Sequence, residues 1–166
     1  MATWAELIHT RPDLASAGEA LLYQHGVGLA FLGTVTGDGR PRVHPMCPLL
    51  TEAELFAFIV PSPKQNDLRR DGRYAMHSFP TPDNEDAFYI TGQAYLVEDL
   101  STRRALSQQF VEERSRLEVA PPANADGLFR FDISTCLLTR TTGHGDPAPK
   151  HVVWRAPRRD DTDDPF

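Results

Sequence analysis

"VGLAFLGTVTGDGRPRVHPMCPLL" (residues 27–50) holds two extended runs joined by Asp38-Gly39. An Asp-Gly pair supplies the positive backbone angles that a tight hairpin turn demands, and both flanking runs are rich in strand-forming residues. The stretch predicts a strand over 27–36, a turn, and a second strand over 40–50. Pro41, Pro45 and Pro48 cannot donate to a ladder, so the second strand must be an edge, bulged or interrupted. An edge of that kind exposes backbone groups that a ligand can use.

Working outward, "ELFAFIV" (54–60) reads as a third strand, "RYAMHSF" (73–79) as a fourth and "AFYITGQAYLVED" (87–99) as a long fifth. Gly92 in the middle of the fifth predicts a bulge or a close approach by another group. "GLFRFDISTCLLTRTT" (127–142) alternates imperfectly and gives a sixth strand, and "HVVWR" (151–155) a short seventh. Upstream, "PDLASAGEALLY" (12–23) spaces Leu14, Ala17, Leu21 and Leu22 as a helix does, with Pro12 suited to the first turn, within an N-terminal helical segment over 1–26. "STRRALSQQFVEERS" (101–115) predicts another helix, with Ser101 as its N-cap and Ala105, Leu106 and Phe110 as its apolar positions. The order of strands and helices fits one small mixed barrel with covering helices.

A chain of 166 residues is long enough for one domain with a proper core and too short for two ordinary ones. We assign residues 1–155 to that domain and 156–166 to an acidic tail too charged to fold alone. The 14 prolines and 11 glycines favour many turns and short elements over a helical bundle. The net charge of -6 repels phosphodiester backbones, which argues against nucleic acid as a partner. No stretch approaches the roughly 20 apolar residues of a membrane span, and the start lacks a basic region followed by an apolar run. The expected setting is cytoplasmic, where Cys47 and Cys136, without CxxC spacing, are free thiols.

The chemistry-bearing stretch is "SPKQNDLRRDG" (62–72). Ser62 is a good N-cap, Pro63 fits the first helical position, Gln65 completes a capping-box pattern and Gly72 ends the helix. Lys64 is the residue that capping does not explain, because a cation in the first turn opposes the helix dipole by about 0.3–1 kcal/mol. An anion on the free amides would reverse that sign, and a phosphate is the natural candidate; an exposed lysine reaching solvent is the plainer alternative. On the preceding hairpin, Arg40, Arg42 and His44 alternate and so share one side of an extended strand, a candidate ligand wall or a solvated stripe. Ser78, His77 and Asp83 are the residue types of a hydrolase triad, but no GxSxG elbow accompanies them. His144 and His151 match no metal spacing, and neither a Walker loop nor a GxGxxG after a strand is present.

The ordered set "GLAFLGTVTGDGRPRVHPM", "LFAFIVPSPKQNDLRRDGRYAMHSF" and "FYITGQAYLVED" resembles the FMN-binding split-barrel family related to pyridoxamine 5'-phosphate oxidase, over residues 28–99 and more loosely to Phe131. The resemblance implies a mainly β (α+β) fold, a six-stranded Greek-key split β-barrel with covering helices. It also implies a homodimer with a flavin in a groove at each subunit interface. By position, Arg42, Val43 and His44 match the strand segment that lines the flavin, Ser62 and Lys64 match residues that hold its phosphate, and Trp154 falls where some members keep a tryptophan near the ring. Pro63 replaces an arginine of the oxidase itself, and the oxidase's C-terminal substrate-binding arginine pattern is not evident, which points away from pyridoxamine phosphate as substrate. "KQNDLRRD" is similar to the K-x-x-N-L-R-R-D pattern of deazaflavin-using members, with Asn66-Asp67 departing from it. The expectation is an FMN-dependent oxidoreductase acting on a small molecule, without an obligatory acid or base in the chain. The alternatives are a deazaflavin-dependent reductase and a non-catalytic flavin- or haem-binding protein.

Overall fold

The computed structural model describes residues 1–157, so the tail expected over 156–166 lies, from 158 onward, outside the described residues. Two helices come first: α1 (Trp4–Thr10) and α2 (Pro12–Leu22). The sequence reading resolved only the second. The signal for the first was a capping box, in which the Thr3 hydroxyl accepts the Glu6 N–H at 3.2 Å and the Glu6 carboxylate accepts the Thr3 N–H at 2.6 Å. Arg11 stands between the two helices and Pro12 opens the second, since its missing N–H costs nothing there.

β1 (Ala30–Val35) and β2 (Pro41–Met46) form the predicted hairpin, with Thr34 opposite Arg42 and Ala30 opposite Met46. The single second strand expected over 40–50 is broken at Cys47-Pro48, and its remainder is β3 (Leu49–Leu50), which pairs with β4 (Leu55–Ile59) instead of β1. β2 is an edge strand, as its prolines require. Helix α3 (Pro63–Arg70) then leads to β5 (Arg73–Ser78), β6 (Ala87–Leu96), helix α4 (Leu100–Glu113), a single 3-10 turn at Ser115–Leu117, β7 (Gly127–Arg140) and β8 (Lys150–Arg155). The N-cap of α4 is Asp99 rather than Ser101: its carboxylate accepts the Thr102 N–H at 2.7 Å and the Ser101 hydroxyl at 2.6 Å. Of the three apolar positions expected on α4, Leu106 is buried, Phe110 half-buried and Ala105 exposed.

The eight strands make one curled antiparallel sheet, a half-barrel, in the order β2-β1-β5-β6-β7-β4-β3 with β8 added to β7. That is two more strands than the six the resemblance implies; β3 and β8 supply the difference. β7 pairs with β6 along nearly its whole length, with β4 at its start and with β8 at its end. The expected irregularity at Gly92 is present as a register shift between Thr91 and Gly92. A Cβ on Gly92 would stand 1.8 Å from the Asp132 carbonyl oxygen, so only glycine lets the two strands approach there. The concave face carries Leu32, Met76, Ile90, Phe131 and Ile133, and α1 and α2 add Trp4, Leu7, Leu14 and Leu22 to the same core. A smaller cluster, Leu49, Phe56, Leu106 and Leu128, seats α4 against β3, β4 and the start of β7. Among the described residues, no helix is long and apolar enough to cross a membrane.

Candidate functional site

The site is built where α3, packed on β1 and β6, reaches β2 through the Asp67–Arg42 and Lys64–Pro45 bonds. On β2 the even residues Arg42, His44 and Met46 pair with the buried Thr34, Leu32 and Ala30 of β1 and face inward, whereas Pro41, Val43 and Pro45 are exposed on the outer side. Arg42 and His44 therefore share a face as expected, but Val43 points away from them and Arg40 lies before the strand, ion-paired with Asp38 at 3.3 Å. Thr36 and Arg40 already exchange a backbone bond, N–H to O at 2.8 Å, which fixes the alternation: even residues of β2 turn their backbone groups toward β1 and odd residues toward the open edge. Two of those odd residues are prolines without N–H groups. Val43 is thus the one residue of β2 that offers a backbone donor to the edge.

Asp67 holds α3 in place. Its carboxylate is almost fully enclosed and accepts from the Thr34 hydroxyl at 2.9 Å, Arg42 Nε at 2.8 Å and Arg70 Nη2 at 3.2 Å. Burial alone would raise the pKa of Asp67, yet these three donors hold it below the ordinary carboxylate value. One turn earlier, Lys64 is half-buried and sends Nζ to the carbonyl oxygen of Pro45 at 3.2 Å. Burial lowers its pKa, with nearby Cys47 opposing that. No carboxylate pairs with Lys64 among the described residues.

The helix start itself has few free donors. Pro63 has no N–H, the Gln65 N–H goes to the Ser62 hydroxyl oxygen at 3.4 Å, and the Asn66 N–H goes to the Ser62 carbonyl at 3.2 Å. The Ser62 hydroxyl donates to the Val60 carbonyl at 2.8 Å. The amide of Lys64 is what remains of the first turn. The expected capping box is half-formed, because the Gln65 side chain donates instead to the Ile59 carbonyl at 2.7 Å and the Ala125 carbonyl at 3.3 Å. Gly72, at φ +74, ends the helix as predicted.

Lys64 opens onto a cavity of about 340 Å³ walled by Met46, Cys47, Phe58, Val60 and Phe110, and on one side by residues 119–122 and Asp126. A half-buried ammonium without a carboxylate partner and one free amide beside apolar walls are a donor set suited to an anionic ligand with a flat apolar body; Arg42, Val43 and His44 lie farther along β2, outside the residues that line the cavity. Trp154 is not part of this group: it sits on β8 opposite Cys136, buried in the main core. Ser78 is buried and accepts the Phe88 N–H at 3.0 Å, while His77 points to the other face, so no triad assembles. His144 and His151 lie beside the Pro82 carbonyl and the Thr139 hydroxyl respectively. Among the described residues, no cluster of histidine, cysteine or acidic groups is placed to hold a metal ion. Cys136 is free and its thiol is pushed up to about 12 by burial; Cys47, also free, is half-buried. The residue the sequence reading missed is Asp67, two of whose three partners, Arg42 and Thr34, lie 25 and 33 positions away.

No family sequence model matches the chain, and no curated protein matches it in sequence. Solved structures do match in shape. A haem-binding protein from Mycobacterium smegmatis superposes with a TM-score of 0.61 at 13% identity, over 82% of this chain and 57% of that one, so the chain spans little more than half of that protein's length. A pyridoxamine 5'-phosphate oxidase candidate from Listeria innocua superposes at 0.57 with 20% identity, over 72% of this chain and 93% of the other. An FAD-binding protein from Mesorhizobium loti superposes at 0.52 with 19% identity, over 65% and 82%. The fold is the one that pyridoxamine 5'-phosphate oxidase-like proteins share, in agreement with the resemblance drawn from the hairpin, the helix start and the β6 strand.

Proposed function

We propose that the cavity beside Lys64 binds a phosphorylated flavin, FMN first, and that the protein is a flavin-dependent oxidoreductase acting on a small molecule as a homodimer. The observation that carries this reading is Lys64, a half-buried ammonium without a carboxylate partner among the described residues, at the mouth of an apolar cavity in a fold shared with flavin-binding proteins. Lys64 Nζ and the Lys64 amide would take the phosphate. The Val43 N–H would donate to an acceptor on the ring edge, and Met46, Phe58 and Phe110 would exclude water from the ring. Arg42 would act at one remove, since its charge is already met by Asp67. His44, on the same face, is free to donate to a ring acceptor. A bound flavin supplies hydride acceptance and donation; the chain supplies position and electrostatics.

FMN titration into the purified protein, followed by ring absorbance and fluorescence, tests the reading. Lys64→Ala is expected to weaken FMN binding about tenfold or more, as loss of one charge-assisted contact does, and to leave riboflavin, which lacks the phosphate, bound as before. Equal FMN affinity in both proteins removes Lys64 from the site. Parallel titrations with FAD, a deazaflavin coenzyme and haemin rank the occupants. Bleaching by NAD(P)H followed by reoxidation separates an enzyme from a carrier.

A further inference from the structure

We propose that residues 119–126, between α4 and β7, are a movable wall of the cavity, and that Arg103 is the positioning residue that clamps it in place. The role of this wall toward a flavin rests on the function proposed above; its mobility does not.

The segment has space on both sides. Its inner side, with Val119, Pro121 and Pro122, closes the 340 Å³ cavity opposite Lys64. Its outer side borders a groove of about 630 Å³ that shares Pro121 and Pro122, and a second of about 480 Å³ that shares Asp126. A strip of chain between cavities lacks the side-chain packing that fixes a strand or helix, so its position depends on its hydrogen bonds.

Those bonds come from few residues. Arg103 donates from Nη1 to the Asp126 carbonyl at 2.7 Å and from Nη2 to the Ala123 carbonyl at 2.6 Å, and Gln65 Nε2 reaches the Ala125 carbonyl at 3.3 Å. Within the strip, the Ala123 N–H meets the Asp126 carboxylate at 2.9 Å and the Asp126 N–H meets the Ala123 carbonyl at 3.0 Å. Residues 123–126 are therefore a preformed turn that Arg103 grips across both ends. Pro121-Pro122 stiffens the approach. The entry is Glu118 at φ 51, the one non-glycine residue with positive φ among those described, a conformation that L-residues leave readily. The Arg103 guanidinium also lies 5.3 Å over the ring of Phe58, itself a cavity wall, so the clamp is anchored to the site it closes. The same helix α3 that presents Lys64 presents Gln65 to the strip, which couples wall and anion contact.

Amide hydrogen exchange on the ligand-free protein tests the clamp. Arg103→Ala is expected to raise exchange about tenfold at the Ala123 and Asp126 amides, the two hydrogen-bonded N–H groups of the strip, the effect of losing the net strength of one or two hydrogen bonds, and to leave the strands unchanged. A purely structural role would instead raise exchange throughout and lower the melting temperature. Arg103→Lys keeps a cation near Phe58 but cannot span two carbonyls, so it should behave as Arg103→Ala does; wild-type exchange in Arg103→Lys overturns the two-carbonyl clamp. It also carries the test if Arg103→Ala does not fold. In stopped flow, both variants should bind and release FMN faster, with the rates moving together and the equilibrium affinity changing less. Faster exchange with unaltered FMN rates overturns the wall. Failure of FMN to bind any of the proteins overturns the proposed function and leaves the clamp to be decided by exchange alone.

Discussion

At the scale of single residues, the molecule turns on two charges handled in opposite ways. Asp67 is buried and fully met: a hydroxyl and two guanidinium groups converge on one carboxylate, tying β1, β2 and α3 together. Lys64, three positions earlier on the same helix, meets only a carbonyl. Replacing Asp67 with Asn keeps the shape and removes the charge, and is expected to cost about 2 kcal/mol in urea unfolding, the range for hydrogen bonds to a charged group. The cost stays below that of a wholly buried pair because Arg42 and Arg70 remain partly exposed and can rehydrate. The pH dependence has a definite sign. A carboxylate whose folded pKa lies below its usual value of 3.8 stabilises the protein above that value, and the contribution is lost as pH falls through the lower folded pKa. Wild type should therefore lose melting temperature more steeply than Asp67→Asn below about pH 4, and parallel acid melts would show that this carboxylate is not the sensitive group. Nothing local marks Asp67 in the sequence, where it reads as one more polar residue of a basic helix. Arg70 is a neighbour on the helix, but Thr34 and Arg42 are brought near by the sheet.

At the scale of elements, what was legible is what closes over a few residues. Ser62, Pro63 and Gly72 delimit α3 because capping, first-turn proline and a left-handed exit act within one helix. The hairpin turns at Gly39, φ +85, although Asp38 does not share the positive angle expected of the pair, and of the outcomes the prolines allowed, β2 takes two: it lies at the edge and is interrupted after Met46. The start of α4 was displaced because Ser101 and Asp99 are both good caps, and the acid accepts from the amide and from the serine at once. Gly92 was legible as an irregularity, but the reason for it is 40 positions away at Asp132, where the β6–β7 ladder shifts. Gly92→Ala should destabilise by about 3 kcal/mol, since backbone rather than a flexible side chain blocks the added methyl. A thermal or urea melt checks it, and a near-neutral result would mean that the two strands part easily at the bulge.

At the scale of the whole molecule, strand order was not readable from pattern: β1 pairs with β5, and β7 reaches back to β4, through contacts between distant segments. The order of strands and helices pointed to a small barrel and the resemblance in motif order to its type, and the solved structures agree with a curled sheet of that kind. The sheet's convex side then raises a question of its own. In register across six strands lie Pro45, Phe31, His77, Tyr89, Leu137 and Val153, and the next row carries Val43, Gly33, Ala75, Thr91 and Thr135. Both rows are half-buried or exposed, with Val43 at 64% and Val153 at 45%, and neither holds an acid. On a chain of net charge -6, such a face is where a second copy meets the least repulsion, and it runs to β2, the strand whose Pro45 and Met46 line the cavity proposed for flavin. Tyr89→Glu sets two like charges near each other across a twofold contact and adds to the existing excess of acid. If the protein pairs with a second copy through this face, light scattering on the eluting protein should fall from dimer to monomer mass, the circular dichroism should stay that of the wild type, and binding of FMN, if it is the ligand, should weaken with the loss of the partner. A dimer that survives the substitution would move the contact to another surface.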